Sequence, residues 1–250
     1  MLSSATKFIS ISALLLCVIG TFAVKSQFMA TSGPTITPVV ELYTSEGCSS
    51  CPQAGKWASS LKDKNVLVRA FHVYHRDYIG WVDRFAAPAY AHRQRELAAR
   101  NGQHNVYTPQ DALDGKDLSG WSRWSNQPAS KEPARASITL AQLGPDQFEA
   151  NVSPYPVLQV SAASSVYWTI TEHGHNSKVQ AGGNAGEFLK HDFVVRQYTS
   201  EGEYKASGAP QKLALRSIAA TPGHARQVNL VVFDSKTGSA LQAVSLQCAV

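Results

Sequence analysis

Apolar and polar residues follow a different pattern in each half of the chain. In the first half, residues 39–43 and 66–73 form nearly continuous apolar runs, a pattern typical of strands that are covered on both faces. Residues 54–62 carry Trp57 and Leu61 four positions apart, which is the spacing of one helix face. We therefore predict a strand, a helix and a second strand in this order.

A second helix and a short third strand complete this half. Residues 85–102 have helical spacing and end at a glycine, with Pro88 in the first turn, where proline is tolerated. Residues 106–113 predict a short strand, and Asp114-Gly115 is a turn signal. The alternation of strands and helices predicts an α/β unit.

The second half of the chain lacks a long helical pattern. Residues 126–133 have no apolar periodicity and predict a linker. Beyond them, short runs alternate apolar and polar residues, as strands with one covered face do; these runs are residues 136–140, 166–170, 193–195 and 228–233. We predict an α/β domain at residues 36–126, followed by an antiparallel β-sandwich-like domain at residues 133–250.

Composition indicates a globular protein. Of the 250 residues, 44% are hydrophobic and 16% charged, which suits one large or two modest domains. The net charge of +5 comes from scattered basic residues. The densest cluster, residues 92–95, predicts a solvated helix face and lacks the interleaved aromatic residues of a single-strand binder. We therefore expect no nucleic-acid partner.

The N-terminus has the pattern of an export signal. Lys7 precedes an apolar run from Phe8 to Val24, and Thr21-Phe22-Ala23 offers small residues to a signal peptidase. The run is short for a membrane span. We predict a signal peptide at residues 1–23, no stable membrane association after cleavage, and a periplasmic or secreted protein.

The strongest chemical signal is Cys48-Ser49-Ser50-Cys51, which follows the first predicted strand. A strand that leads a Cys-x-x-Cys motif into the start of a helix is typical of thiol-disulfide proteins. At a helix N-terminus, backbone N–H groups and the helix dipole stabilise a thiolate and lower the thiol pKa. Cys48 is thus the candidate nucleophile, Cys51 the candidate resolving thiol, and Ser49 the expected N-terminal residue of the helix.

Two other roles of the cysteine pair stay open. As a permanent staple, the pair would close a very short loop, which removes little chain entropy. As a metal site, it would need histidines such as His72, His75 and His104, but no metal-binding spacing accompanies them.

Other landmarks have simpler interpretations. Trp81, Trp121 and Trp124 are expected to seal cores near the domain boundary rather than to line a substrate groove. His173-Gly174-His175 predicts a solvated turn, and Cys248 lies in an apolar C-terminal segment, where it is expected to be a buried small hydrophobic residue.

Several segments carry a resemblance to a known family. They are residues 39–52 with the cysteine motif, His72-Val73, residues 77–81, Arg93-Gln94-Arg95, residues 106–110, and residues 183–196. Together they resemble exported bacterial thioredoxin-like proteins catalogued as domain of unknown function 1223. The resemblance extends over about residues 38 to 250 and implies a thioredoxin-like fold for the first half.

The thioredoxin-like fold that the resemblance implies predicts a role in the site for Thr108-Pro109. In thioredoxin-like domains a cis-proline loop lies against the Cys-x-x-Cys motif, keeps metal ions off the sulfurs and offers backbone groups to an extended substrate. A Thr-Pro pair between the second helix and the third strand stands in the corresponding place. We expect a cis bond before Pro109, although this isomer is a minority state of X–Pro bonds in general, and a substrate groove shaped by both residues.

The sequence departs from the family at two places. Tyr74-His75-Arg76 replaces one acidic and two aromatic positions, and Asp114 stands where asparagine is expected. Arg76 or His75 close to the sulfurs would favour a thiolate, but His75 is more simply explained as a surface or boundary histidine.

The predicted function is thiol-disulfide exchange with the thiols or disulfides of exported proteins, carried out by Cys48 and Cys51. No organic cofactor is implied, since electrons pass through the cysteines themselves. The alternative is a metal- or protein-binding module on the same fold without redox turnover. The direction of exchange is left open, because it depends on the folded environment of the sulfurs.

Overall fold

The structure is a computed structural model that describes residues 28–118, 120, 130–154, 163–204 and 210–248. The predicted signal peptide, Trp121, Trp124 and residues 126–129 of the predicted linker lie outside the described residues. Among the described residues, no helix is long and apolar enough to cross a membrane.

Strands predominate over helices. In the described residues, the two α-helices are α1 (Cys51–Ser59) and α2 (Pro88–Arg100). The strands in the first half are β1 (Met29–Thr31), β2 (Val39–Thr44), β3 (Leu67–His72), β4 (Gln110–Leu113) and β5 (Lys116–Asp117). Those of the second half are β6 (Ala136–Gly144), β7 (Gln147–Pro154), β8 (Ser164–Glu172), β9 (His175–Lys178), β10 (Phe188–His191), β11 (Val194–Tyr204), β12 (Gln211–Arg216), β13 (Arg226–Asp234) and β14 (Ala240–Gln247).

Both helices start at a proline-containing first turn. Pro52 and Pro88 occupy positions where the missing N–H of proline costs no intrahelical bond. The residue before α1 is Ser50, and its side chain makes no capping hydrogen bond. The expectation for Ser49 is therefore off by one position, because the turn through Cys48 places the helix start at Cys51.

The helices cover opposite faces of one sheet. Within the described residues, the main sheet has the order β14-β13-β8-β11-β3-β2-β4-β5. Strands β2 and β3 are parallel, and β4 is antiparallel to β2. Ala54 and Ala58 of α1 pack on Leu42 and its neighbours on one face, whereas Tyr90 and Leu97 of α2 pack on the other face. The predicted α/β unit is present, and its central strands are buried on both sides, as their apolar runs indicated.

The second half builds two layers of antiparallel strands. A four-stranded sheet, β1-β6-β7-β12, packs face to face against β8, β13 and β14 of the main sheet. Every residue of β8 is buried, so the predicted alternation of exposed and covered faces is wrong for this strand. The reason is its central place between β11 and β13 with covered faces on both sides.

The main sheet runs across the predicted domain boundary. Strand β11 of the second half pairs in parallel with β3 of the first half at Val194 and Ala70, and the Ala70 N–H donates to the Phe193 carbonyl at 2.8 Å. The two predicted domains therefore share one sheet, and the position of a boundary near residue 130 stays a prediction.

A buried ionic cluster joins strands of both halves. Glu41 of β2 accepts hydrogen bonds from Arg69 at 3.2 Å and from Arg93 at 2.6 Å, and Tyr167 of β8 donates to it at 3.0 Å. Burial alone would raise the pKa of Glu41, but the two guanidinium groups lower it to about 2. Because Arg93 is buried in this cluster, the prediction of a solvated face for residues 92–95 is wrong at this residue.

Two smaller predictions have opposite outcomes. Cys248 is a free, buried cysteine, as expected. His175 is also buried, and its Nε2 lies 2.9 Å from a carboxylate oxygen of Glu172, so the prediction of a solvated turn is wrong. The β9 strand begins at His175 and carries the ring into the protein interior.

Candidate functional site

Cys48 and Cys51 form a disulfide at the carboxyl end of β2 and the start of α1. Their Cα atoms are 5.4 Å apart, and the Cys51 N–H donates to the Cys48 carbonyl at 3.1 Å. Both cysteines are almost fully buried, with 4% and 3% of their surface exposed, while Ser49 and Ser50 between them are exposed. The surface of the motif is therefore formed mainly by its two serines.

The Thr108–Pro109 peptide bond is cis and lies against the disulfide. The Thr108 carbonyl oxygen is 3.4 Å from Cys48 Sγ. Pairing of β4 with β2, in which Gln110 faces Tyr43, brings this loop to the end of β2 where the cysteine motif begins. The predicted cis bond is thus confirmed, and the two predicted site elements lie side by side.

Glu46 is the buried carboxylate nearest in sequence to the disulfide. Only 1% of its surface is exposed. Trp81 Nε1 donates to one carboxylate oxygen at 2.7 Å, and His191 Nε2 lies 3.1 Å from the other. Burial would raise the pKa of Glu46, but hydrogen bonds from His191 and Trp81 hold the pKa below its ordinary value. His191 Nε2 therefore donates its proton to an ionised carboxylate.

Asp83 binds the backbone of the same loop. Its Oδ2 accepts the Glu46 N–H at 2.9 Å and lies 2.7 Å from His72 Nδ1. Burial would raise the pKa of Asp83, but the adjacent His72 and the backbone donors lower it. A single buried carboxylate thus ties the end of β3, where His72 lies, to the loop that carries Cys48.

A short segment from the second half covers the cysteine loop. The Asn184 side-chain amide donates to the Glu46 carbonyl at 2.7 Å and to the Cys48 carbonyl at 2.8 Å, and the Gly183 N–H donates to the Gly47 carbonyl at 3.1 Å. A Cβ on Gly183 would lie 2.7 Å from the Gly47 oxygen, so only glycine fits this approach. Three consecutive carbonyls of the loop are satisfied by residues about 135 positions later in the chain.

A groove of about 780 Å³ opens beside Cys51. The carboxyl ends of β2 and β3 form its floor, α1 forms one wall, and residues 183–192 form the other. The carboxyl ends of parallel strands are a common place for ligands in α/β sheets. The groove gives the disulfide a concave surface that contains polar and apolar side chains.

The three histidines proposed as metal ligands have separate environments. His72 is buried against Asp83, His75 Nε2 lies 3.0 Å from Gln94 Oε1, and His104 is exposed. In the part of the chain that the structure describes, no group of three or more His, Cys, Asp or Glu residues is placed to hold a metal ion.

Of the residues that depart from the family pattern, residues 74–76 lie at the edge of the site, whereas Asp114 lies at the opposite end of β2, next to Val39. Tyr74 begins a 3-10 turn (Tyr74–Ile79) whose Arg76 backbone lies next to Gly47. His75 is half-buried, and burial lowers its pKa. Asp114 has a φ of +50°, a conformation that asparagine and aspartate adopt more readily than most residues, and its Oδ1 accepts the Val39 N–H at 2.8 Å.

Sequence reasoning assigned no role to the groups that hold the loop. Glu46, Asp83, Asn184 and His191 come from four separate segments, and their contacts follow no local spacing. Trp81, predicted to seal a core, instead donates its indole N–H to Glu46. The available signal was the family resemblance, whose segments 39–52 and 183–196 contain Glu46, Asn184 and His191 but assigned no contact between them.

Comparison with known proteins supports the fold and the family. The crystal structure of protein AGR_C_4864 from Agrobacterium tumefaciens is similar to this chain with a TM-score of 0.63 and 21% identity, over 86% of this chain and 96% of that one. Among curated proteins, no match is found. Residues 39–233 match the family described as protein of unknown function (DUF1223). Since this match covers most of the sequence and includes the disulfide, the cis-proline loop and the Asn184 segment, the chain belongs to the DUF1223 family.

Proposed function

We propose that this protein catalyses thiol-disulfide exchange through Cys48 and Cys51, on a thioredoxin-like fold formed by the first half of the chain. The observation that carries the proposal is the disulfide at the start of α1 with the cis Thr108–Pro109 loop 3.4 Å from Cys48 Sγ. A purely structural staple would have no use for a backbone carbonyl beside its sulfur or for a groove beside Cys51.

The chemistry requires no further group. A substrate thiolate attacks one sulfur of the disulfide, the Cys48–Cys51 bond breaks, and one cysteine leaves as a thiolate. A second substrate thiol then releases the mixed disulfide, so that two electrons and two protons pass to the protein. In the reverse direction, Cys48 attacks a substrate disulfide, and Cys51 resolves the intermediate. Thr108 and Pro109 contact the reacting chain, with exported proteins as the substrates.

Export of the mature chain is part of this proposal. Its support is the sequence pattern of residues 1–23, which lie outside the described residues, and the exported context of the resemblance. In an oxidising compartment a Cys-x-x-Cys pair can cycle with protein disulfides. A binding module without turnover is the second candidate, and the exposed apolar residues Tyr78 and Val82 near the disulfide loop favour a protein over a metal as its ligand.

Insulin reduction with dithiothreitol as electron donor tests the proposal. The mature wild-type protein is expected to accelerate insulin precipitation, and Cys48→Ser and Cys51→Ser are expected to abolish the acceleration. Cys248→Ser, which removes the buried cysteine outside the site, is the matched control and is expected to retain full activity. Wild-type protein that reduces insulin no faster than the Cys48→Ser variant would show that the pair does not turn over.

A further inference from the structure

Glu46, two residues before Cys48 in the chain, carries a buried carboxylate in the loop that leads to the disulfide. One Asn184 amide binds the backbone carbonyls of both Glu46 and Cys48, so the two residues are held close together. The indole of Trp81 can only donate a hydrogen bond, and at 2.7 Å it fixes the Glu46 side chain as an acceptor. With 1% of its surface exposed, this negative charge is poorly screened by water.

The groups that contact Glu46 and its backbone include two further carboxylates and two histidines. Asp83 accepts the Glu46 N–H, Asp77 accepts the Asp83 N–H at 3.3 Å, and His72 is engaged with Asp83. His191 donates to the far oxygen of Glu46. Arg76 approaches Gly47 with its Cβ and backbone oxygen. Asp83 and Asp77 thus place two further carboxylates beside Glu46, whereas the cations Lys56 of α1 and Lys190 of β10 line the groove on the side of Cys51.

Of the two contacts that Cys48 Sγ makes in the disulfide form, the carbonyl contact favours a neutral thiol, whereas the Ser50 hydroxyl can donate to a thiolate. In the described structure, its Sγ lies 3.4 Å from Ser50 Oγ and 3.4 Å from the Thr108 carbonyl oxygen. A carbonyl oxygen accepts a hydrogen bond from S–H but repels a thiolate. The start of α1 acts in the opposite direction, but its dipole corresponds to only about half an elementary charge.

We propose that Glu46 disfavours ionisation of the Cys48 thiol, so that the Cys48–Cys51 couple acts as a reductant rather than as an oxidant. The inference rests on the proposed function and adds its direction. A strongly oxidising couple owes its potential to a stabilised reduced form, and here the negative charge of Glu46 opposes the stabilisation of the thiolate by the start of α1. The dithiol gives two electrons and two protons to a substrate disulfide, which becomes two thiols, and the protein disulfide forms.

Equilibration with reduced and oxidised glutathione tests the inference. The fraction of protein dithiol is measured by thiol alkylation and mass spectrometry between pH 6 and pH 9. The wild-type couple is expected to be more reducing than glutathione at pH 7. In Glu46→Gln, the reduced form is expected to gain severalfold at pH 9, up to about tenfold for a thiol pKa that falls by about one unit when a nearby buried charge is removed. A tenfold gain equals about 30 mV for a two-electron couple.

The pH profile separates charge from structural damage. At pH 6 the thiol is protonated in either protein, so Glu46→Gln is expected to match the wild type there. Glu46→Asp keeps the charge and is expected to follow the wild type throughout. Glu201→Gln is the matched control, because Glu201 also accepts a tryptophan indole N–H, from Trp168 at 2.8 Å in another part of the sheet.

Three results would overturn the inference: a wild-type couple more oxidising than glutathione, a Glu46→Gln profile that coincides with the wild type at pH 9, or equal shifts in Glu46→Gln and Glu46→Asp. The first measurement needs no variant and holds even if Glu46→Gln does not fold. A different pair of results is a wild type that fails to reduce insulin and a Glu46→Gln variant that still shows the pH-dependent shift in its dithiol fraction. That pair of results would reject the proposed function and leave the electrostatic inference intact.

Discussion

At the scale of single residues, buried carboxylates are the most informative groups in this protein. Glu41, Glu46 and Asp83 each have donors that keep them ionised. Asp111 on β4 differs, because it is 1% exposed and neither carboxylate oxygen has a hydrogen-bond partner among the described residues. Burial, with the nearby charge of Asp117 as a smaller cause, raises the pKa of Asp111 to about 8.

Asp111 makes the stability of the fold depend on pH. The folded state keeps this proton up to about pH 8, whereas the unfolded chain releases it near pH 4. The folded state binds more protons between these values, so the free energy of unfolding falls as pH rises. Asp111→Asn removes this loss. In urea unfolding at pH 5 and pH 9, the free energy of unfolding of Asp111→Asn should exceed that of the wild type by more at pH 9 than at pH 5. The difference between the two proteins should grow by about 1.4 kcal/mol for each pH unit that lies between the unfolded and the folded pKa of Asp111.

The control for this prediction is Asp63→Asn. Asp63 is exposed and has a φ of +60°, which asparagine also adopts. Its variant is expected to keep the pH dependence of the wild type. Parallel pH profiles for the wild type and Asp111→Asn would contradict the assignment of a raised pKa to Asp111.

At the scale of elements, the main feature is the 3-10 turn Gly182–Asn184, which covers the cysteine loop. The turn supplies hydrogen-bond donors to three backbone carbonyls of the loop, in the place of water, and it brings Gly183 into close contact with Gly47. The turn does not belong to the sheet that carries the disulfide. Its attachment therefore controls how easily the loop can open towards a reductant.

Asn184→Ala tests this control. Loss of two buried hydrogen bonds should lower the free energy of unfolding by about 2 kcal/mol, and the disulfide should be reduced by dithiothreitol several times faster. Asn229→Ala is the matched control, since Asn229 is a buried asparagine whose amide donates to Thr171 at 3.0 Å and Thr169 at 3.4 Å. It should lose similar stability without a change in the reduction rate. Equal acceleration in both variants would indicate a general loss of stability instead.

At the scale of the whole molecule, exposed apolar residues gather around the disulfide loop. In the 3-10 turn and the residues after it, Ile79 lies against Gly182 and Trp81 is bound to Glu46. These contacts hold the segment in place while Tyr78 and Val82 remain 78% and 74% exposed. Tyr107, next to Thr108, is also exposed. If the proposed exchange takes place, we expect such a surface beside the disulfide to suit a polypeptide substrate better than a small thiol.

A double substitution of Tyr78 and Val82 by serine tests this preference. The KM for insulin should rise several-fold, while reduction of a small aromatic disulfide should keep its rate, because only a polypeptide reaches the outer surface. The matched control replaces Leu143 and Ile218, two similarly apolar exposed residues of the second half, by serine and should leave both reactions unchanged. An equal loss for both substrates would place the effect at the sulfurs.

The parts of the structure that the sequence could predict are those with local causes. The apolar runs at residues 39–43 and 66–73 are strands because two helices cover them, and Cys48 and Thr108 meet because β2 and β4 pair. Glu46, Asn184 and His191 meet through tertiary contacts across 136 or more residues. No periodicity encodes such contacts, and a Gly-Gly-Asn sequence is an ordinary turn until its partner is known.

The long-range bonds of Asn184 also impose an order on the biogenesis of the protein. The segment that carries Cys48 is synthesised well before Gly183 and Asn184, so its carbonyls remain hydrated until the later residues arrive. The mature environment of the disulfide forms only in the finished chain. A truncated product would carry both cysteines without the cover that shields them, so the disulfide reaches its final environment only after synthesis has passed Asn184.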